Sequence, residues 1–400
     1  MTNIAILGFG VVGGGVARLL TENKTECERL GGDGINIKHI LDLRDFPDSP
    51  FADRITHDYN TILSDPEIDT VIEVMGGSHP AYEFTVSALR AGKNVITSNK
   101  EVVANFGDEF LALAREHGVC YRFEASVGGG IPVISPMISC IGQNKLTEVR
   151  GILNGTTNYI LTKMFSFGAG FEESLADAQE KGYAERNPDA DILGHDACRK
   201  IAILGALATG KLIPTDKIHT EGITGIRKED VLAAAKIGRR IKLLGRFIIT
   251  EDGALPMVAP FMVPADAALA EVCGVYNAVE VLGEPIGNVM FYGQGAGGDA
   301  TASAVVGDLM QIMRSGINSA APVFEKTTDG VRDFKDYCGR TYIALEGAAR
   351  EDIIETFGYD VTFIDTDEKA FITPPLSESM LDQALALLDR AKILSRIRLL

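Results

Sequence analysis

The chain opens "NIAILGFGVVGGGVARLL", residues 3–20. An apolar β-type run over residues 4–7 leads into Gly8, Gly10 and Gly13, spaced GxGxxG. A helical pattern follows in Val12, Val16, Leu19 and Leu20. Strand, glycine turn and helix in immediate succession leave few folds open. In such a unit the first glycine permits a tight turn, the second lets backbone approach a pyrophosphate, and the third lets helix pack on strand. The helix N-terminus then turns unpaired N–H groups toward phosphate. Gly8, Phe9, Gly10, Val11, Val12 and Gly13 are therefore candidate cofactor contacts; a ligand-free glycine turn is the plainer alternative.

The rhythm continues. "INIKHILDLRDF" reads as a second strand. An acid at its end would bind a ribose 2′-hydroxyl, and an arginine a 2′-phosphate. Asp42 and Arg44 offer both, on one side if the strand continues. With Asp42 read as still inside the strand, Arg44 and NADP are favoured over NAD. "DTVIEVMGG" is a third strand ending in glycines, with Gly76 a further cofactor candidate. "AYEFTVSALRAGKNVITSNK" reads as helix, stop at Gly92, then strand, with Lys100 just beyond the strand end. The βαβ order implies an α/β fold, a Rossmann-type doubly wound parallel sheet with ligands at the strand C-termini. This domain is expected over residues 1–130, completed by about 295–320.

A chain of 400 residues calls for two or three domains. Its formal charge of −17 disfavours nucleic acid and anionic membranes as partners. No stretch reaches the roughly 18 apolar residues of a membrane span. No basic, apolar leader is read at the start, and the six cysteines form no CxxC pair. Zinc clusters and a disulfide framework are not expected, and a cytoplasmic location is.

"CYRFEASVGGGIPVISPM" (120–137) reads as a strand followed by Gly128, Gly129 and Gly130. That run suits either a phosphate or, with Glu124, a hard cation. "LTEVRGILNGTTNYILTKM" (146–164) reads as strand, polar turn and helix start. Thr156, Thr157 and Asn158 are N-cap types there, and equally suit a small polar substrate. "SLADAQEKGYAERNPDADILGHDACRKIAILGALATG" holds a helix stopping at Gly182, a loop with Pro188, and a second helix starting near 191–194. Asp196 and Lys200 stand i, i+4, on one face. An exposed ion pair would explain them, but the apolar "IAILGALATG" that follows requires a buried helix. Glu185, Asp191, Asp196 and Lys200 thus read as a lined polar pocket. Carboxylates can hold an ammonium group, and a partly desolvated lysine can exchange a proton.

"GFGVVGGGV", "SNK", "EASVGGGIPVI", "ILNGTTNYIL", "GYAERNPDADILGHDACRK" and "YGQGAGGDATASAVVGDL" together resemble the homoserine dehydrogenase family, over roughly residues 1–320. The resemblance implies interconversion of L-homoserine and L-aspartate 4-semialdehyde with NAD(P)(H), on the route to threonine, methionine and isoleucine. It implies Lys200 as catalytic acid/base, with Glu185, Asp191 and Asp196, joined by Thr156, on the amino-acid substrate. Lys100 would lie beside cofactor and substrate, and Gly297 on the cofactor. It implies a monovalent cation, sodium, held by backbone oxygens of Glu124, Val127, Gly129 and Ile131. Residues 131–294 would form the substrate and dimerisation domain of a homodimer or homotetramer. Another amino-acid dehydrogenase, or a non-catalytic dinucleotide and amino-acid sensor, are the competing readings; a sensor needs no acid/base.

After a helix end and linker in "MRSGINSAAPVF", residues 336–400 read as strand, helix, two strands, helix and strand. This βαββαβ order resembles the ACT modules that bind amino acids beside metabolic enzymes. It departs from them where "EGAARED" replaces the acidic-x-proline-glycine turn, leaving an oligomer-forming lid as the alternative. A sheet this small has a marginal core, so another subunit is expected to cover its edge.

Overall fold

The structure is a computed structural model describing residues 1–315, 321–366, 369–388 and 390–400. The chain divides into two compact units. The first comprises Met1–Leu146, Ala202–Thr215 and Gly283–Thr327; the second comprises Thr147–Ile201, Asp216–Leu282 and Thr328–Leu400.

The first unit is built on six strands, β1 (Thr2–Leu7), β2 (Ile35–Leu41), β3 (Ile55–Thr56), β4 (Thr70–Glu73), β5 (Asn94–Thr97) and β6 (Tyr121–Arg122). They pair in the order β3-β2-β1-β4-β5-β6, every pair parallel. Ile4, Ala5, Ile6 and Leu7 are each 0% exposed, so both faces of β1 are covered, as a parallel sheet requires. Ile4 and Ile6 share a core with Val16, Ala17 and Leu20 of the helix Val11–Glu22, and with Val305 and Leu309 of the late helix Gly298–Ser315. A segment nearly three hundred residues downstream therefore completes the first unit's core. Residues 316–320 of the expected linker lie outside the described residues.

Two strands are shorter than the sequence pattern suggests. β2 stops at Leu41, which puts Asp42 outside the strand and removes the reason for preferring Arg44. The strand expected at "CYRFEA" is only Tyr121–Arg122, because the chain then turns through the 3-10 segment Glu124–Ser126.

In the second unit the strands lie side by side in the order Tyr276–Glu284, Lys145–Ile152, Arg239–Thr250, Gly253–Pro264, Lys392–Leu399, Thr341–Glu346, Lys369–Ile372, Thr362–Ile364. Arg239–Thr250 and Gly253–Pro264 form an antiparallel hairpin paired along its whole length, Arg239 opposite Pro264 and Thr250 opposite Gly253. Residues 341–399 follow the βαββαβ order read from the sequence, with helices Arg350–Phe357 and Glu378–Ala386, apart from an added two-residue strand, Leu376–Ser377, that pairs with Cys338–Gly339. Ile343, Leu345, Ile353, Phe371 and Leu381 give this segment a core of its own. Its last strand pairs in parallel with Gly253–Pro264, Phe261 opposite Arg398 and Met262 opposite Leu399. At these residues the segment's last strand is thus paired within the same chain. Among the described residues no helix is long and apolar enough to cross a membrane.

Candidate active site

In the first unit the glycine turn divides its labour. Gly8 has φ +96°, a conformation that favours glycine. A Cβ on Gly13 would lie 2.0 Å from the Gly8 carbonyl oxygen, so helix and strand approach on bare backbone. A Cβ on Gly10 would meet no protein atom within 4 Å, and its φ is not positive. Protein packing does not explain Gly10, and the open space at its Cα would admit a closely approaching group such as a pyrophosphate. The helix Val11–Glu22 carries no side-chain cap, so its N-terminus has the polarity to meet an anion such as a phosphate. Val11 is exposed and Val12 half-buried at that end. Gly297, φ +118°, leads into the helix Gly298–Ser315.

Asp42, just beyond β2, is pinned from two directions. Its carboxylate accepts the Phe9 N–H at 2.8 Å and the Arg44 guanidinium at 3.0 Å through both Nε and Nη2. The Arg44 guanidinium, with the N–H groups of Phe9 and of Arg44 itself, holds the Asp42 carboxyl well below its usual range. Arg44 also lies over the Phe46 ring, 5.0 Å from its centroid.

At the C-terminal ends of β4 and β5, the buried Glu73 accepts the Met75 N–H at 2.7 Å and the Thr97 hydroxyl at 2.6 Å. Thr97 Oγ1 in turn accepts the Asn99 N–H at 2.9 Å. Asn99 caps the helix Lys100–Glu116 and donates to the Gly77 carbonyl at 2.7 Å. The strands' last residues thus fix two loops, one carrying Gly76 and one carrying Lys100. Of the two glycines it is Gly77 whose backbone needs glycine, φ +78°. Lys100 stands on the first turn of its helix, where the dipole opposes a cation. Helix stability alone would not place a lysine there.

The loop at 124–131 is held tightly. The Glu124 carboxylate accepts three backbone N–H groups, from Val133 at 2.7 Å, Ile134 at 2.8 Å and Ser135 at 2.7 Å. Its own N–H donates to Asp308 at 2.8 Å. Burial, and then the Glu124 charge, push the Asp308 carboxyl up to about 8. Gly129, φ +57°, packs so closely that a Cβ would lie 2.7 Å from Gly295 C and O. Among the described residues, none of the backbone hydrogen bonds tying the loop ends on the carbonyl of Val127 or Gly129. Among the described residues there is no cluster of His, Cys, Asp and Glu suited to a divalent metal. A donor set of backbone oxygens suits a weakly charged cation.

The second unit holds the polar network. Asn154 caps the helix Gly155–Phe167, its side-chain oxygen accepting the Thr157 N–H at 2.8 Å. Its Nδ2 donates to Asp191 Oδ1 at 2.7 Å and to Asp196 Oδ2 at 2.9 Å. Lys200 Nζ donates to that same Asp196 oxygen and to the Leu153 carbonyl, both at 2.7 Å. Asp196 and Lys200 are 4% and 6% exposed, so this is no solvated surface pair. Gly194, φ +86°, makes the turn between Asp191 and Asp196.

The family model for homoserine dehydrogenase matches residues 132–310, and that for the homoserine dehydrogenase NAD binding domain matches residues 8–124. A homoserine dehydrogenase of Pseudomonas aeruginosa is 42% identical over 313 residues, 78% of this chain and 72% of that protein. The chain belongs to the homoserine dehydrogenase family. As a homoserine dehydrogenase it is an NAD(P)-dependent oxidoreductase acting on the alcohol group of homoserine. A homoserine dehydrogenase crystal structure from Thiobacillus denitrificans superposes with TM-score 0.91 at 34% identity, covering 100% of this chain and 98% of that one. That likeness includes the C-terminal segment. A hyperthermophilic archaeal homoserine dehydrogenase mutant, solved in complex with NADPH, matches with TM-score 0.66 at 27% identity, over 78% of this chain and 97% of that one.

The homoserine dehydrogenase motif brings Asp191, Asp196 and Lys200 together, as their spacing suggested. Glu185 is exposed and its carboxylate takes no part in this network. Thr156 does not cap its helix; its hydroxyl donates to the Tyr183 carbonyl at 2.6 Å, bracing the loop that leads to Glu185. The cap is Asn154, a residue the sequence reading passed over. Its signal was present: an asparagine after a strand and immediately before a glycine-led helix start.

Proposed function

We propose that Lys200 is the catalytic acid/base and that Asp191, Asp196 and Glu185 bind the amino-acid end of homoserine. The observation that carries this reading is the shared Asp196 oxygen, which takes both Lys200 and Asn154. Asp196 fixes the lysine's Nζ, and Asn154 fixes the separation of the two aspartates. Such a site recognises an ammonium group by charge and presents one amine for proton transfer. In the oxidative direction Lys200 Nζ takes the proton of the substrate hydroxyl as hydride leaves the same carbon, giving the aldehyde. In the reductive direction it returns that proton to the carbonyl oxygen. NAD(P), when bound, supplies the hydride acceptor or donor. Gly8, Phe9, Gly10, Val11, Val12 and Gly13 would hold its pyrophosphate end, and Gly76, Lys100 and Gly297 the rest. Arg44 would meet the 2′-phosphate of NADP; its guanidinium is exposed at the end of β2, and the archaeal relative binds NADPH. A monovalent cation, sodium by preference, would be held by the carbonyls of Glu124, Val127, Gly129 and Ile131, stiffening that loop. The βαββαβ segment reads best as an ACT-like module, and the enzyme as a cytoplasmic homodimer or homotetramer.

The test is oxidation of L-homoserine by the purified protein with NADP and with NAD, followed at the nicotinamide absorbance, for the parent and for Asp196→Asn. The reading expects the substitution to raise the homoserine KM and leave cofactor binding intact. An unchanged homoserine KM would overturn it.

A further inference from the structure

The C-terminal strand and a short strap, residues 219–223, lie one after the other along the same strand. Gly253–Pro264 pairs with the strap at Met257 and Val258, and with the C-terminal strand at Phe261 and Met262. Arg398 reaches from the second of these to the first. Its Nη1 and Nη2 hold both oxygens of Glu221, at 2.7 and 2.8 Å. Its Nε donates to Glu378 of the helix Glu378–Ala386 at 2.7 Å. Arg398 is only 1% exposed, and its guanidinium lies over the Phe334 ring, on which His219 also stacks.

The strap's other side rests on the substrate motif. Ile223 N–H donates to the Ile192 carbonyl at 2.8 Å. Gly222 meets residues 192–193 on bare backbone: a Cβ there would lie 2.0 Å from Ile192 O and 2.5 Å from Leu193 Cα. A Cβ on Gly194 would in turn lie 3.2 Å from the Glu221 carbonyl oxygen. Residues 192–194 are the turn that separates Asp191 from Asp196. Contacts this close transmit a shift of the strap directly to the two carboxylates.

We infer that Arg398 and Glu221 are positioning residues for the substrate site, so that the C-terminal segment sets the spacing of Asp191 and Asp196. This rests on the reading of those aspartates as the substrate carboxylates. A small displacement of binding groups is enough to weaken substrate binding and turnover strongly. Arginine suits the task because its planar fork holds both oxygens of Glu221 while its Nε reaches Glu378, a fixed geometry that the single nitrogen of an ammonium does not reproduce.

The experiment uses the full chain with Glu221→Gln, which keeps the shape but removes the charge, and Arg398→Lys, which keeps the charge but removes the fork. The homoserine KM should rise about tenfold in each, with the cofactor dissociation constant unchanged. A merely structural role would lower kcat in proportion to the folded fraction and leave KM as it was. An unchanged homoserine KM in either variant, or parallel weakening of substrate and cofactor, overturns the inference. If Asp196→Asn raises the homoserine KM while Glu221→Gln does not, this inference alone fails. If neither does, the reading of the substrate site has failed with it.

Discussion

Asn154 donates 2.9 Å to the Asp196 oxygen that also receives Lys200. One amide thus organises two aspartates and, through one of them, the lysine, while its oxygen caps a helix. Asn154→Ala should cost about 1 kcal/mol of stability as a lost cap. It should also lower kcat/KM for homoserine about tenfold to a hundredfold, because the aspartates lose their common donor. Asn154→Asp keeps a capping oxygen but sets a third carboxylate against Asp191 and Asp196. It should lose activity just as heavily; full activity in that variant would show that the donated hydrogen bonds do not matter.

The cofactor end carries a prediction about NADP against NAD. Arg44 occupies the Asp42 carboxylate, so Asp42 is already partnered where a ribose 2′-hydroxyl would need it. Arg44→Ala removes a cation for the 2′-phosphate and releases Asp42 together. The NADP dissociation constant should rise by about tenfold or more, while that for NAD holds or improves. Equal losses for both cofactors would clear Arg44 of this role.

Glu73 gives a pH signature. Burial raises its carboxyl to about 7, against the opposing hydrogen bonds from Thr97 and Met75. In the unfolded chain a glutamate titrates near its ordinary value of about 4.3. Between those two pH values the folded state binds more protons, so this group's contribution to stability falls as pH rises, then levels off. Glu73→Gln carries no such proton. Its melting temperature relative to the parent should climb between about pH 5 and pH 7 and then stay level. A difference independent of pH would contradict the buried, proton-binding glutamate.

The parts of the site visible in the sequence were those written at short range. Asp196 and Lys200 are four residues apart on a helix, and their pairing follows from helix geometry. The glycine turn needs only strand, glycines and helix in order. Asn154 was missed because its partners lie 37 and 42 residues away, brought back by the loop between two helices. Asp42 was misplaced because alternation continues through Leu43 although the strand ends at Leu41, with only the Asp42 N–H reaching on, to the Thr56 carbonyl at 3.3 Å. The tail's elements were readable one by one. Its attachment was not, since nothing in "ILSRIRLL" names residues 261–262 as its neighbours.

The 124–131 loop carries a prediction about ions. Activity should rise with added sodium or potassium in an enzyme dialysed free of both. Gly129→Ala, strained at φ +57° and against Gly295, should weaken that response and lower stability by about 1–3 kcal/mol. Activity indifferent to either ion would remove the cation from the account.

Lys200 is the centre of the account, and Lys200→Ala tests it most directly. The measurement is kcat for L-homoserine oxidation alongside the cofactor dissociation constant, in a variant shown to be folded. The expected result is a fall in kcat of about 10²–10⁴-fold with cofactor affinity preserved, the loss that follows removal of a general acid/base. Turnover close to the parent's would contradict Lys200 as the group that moves the proton.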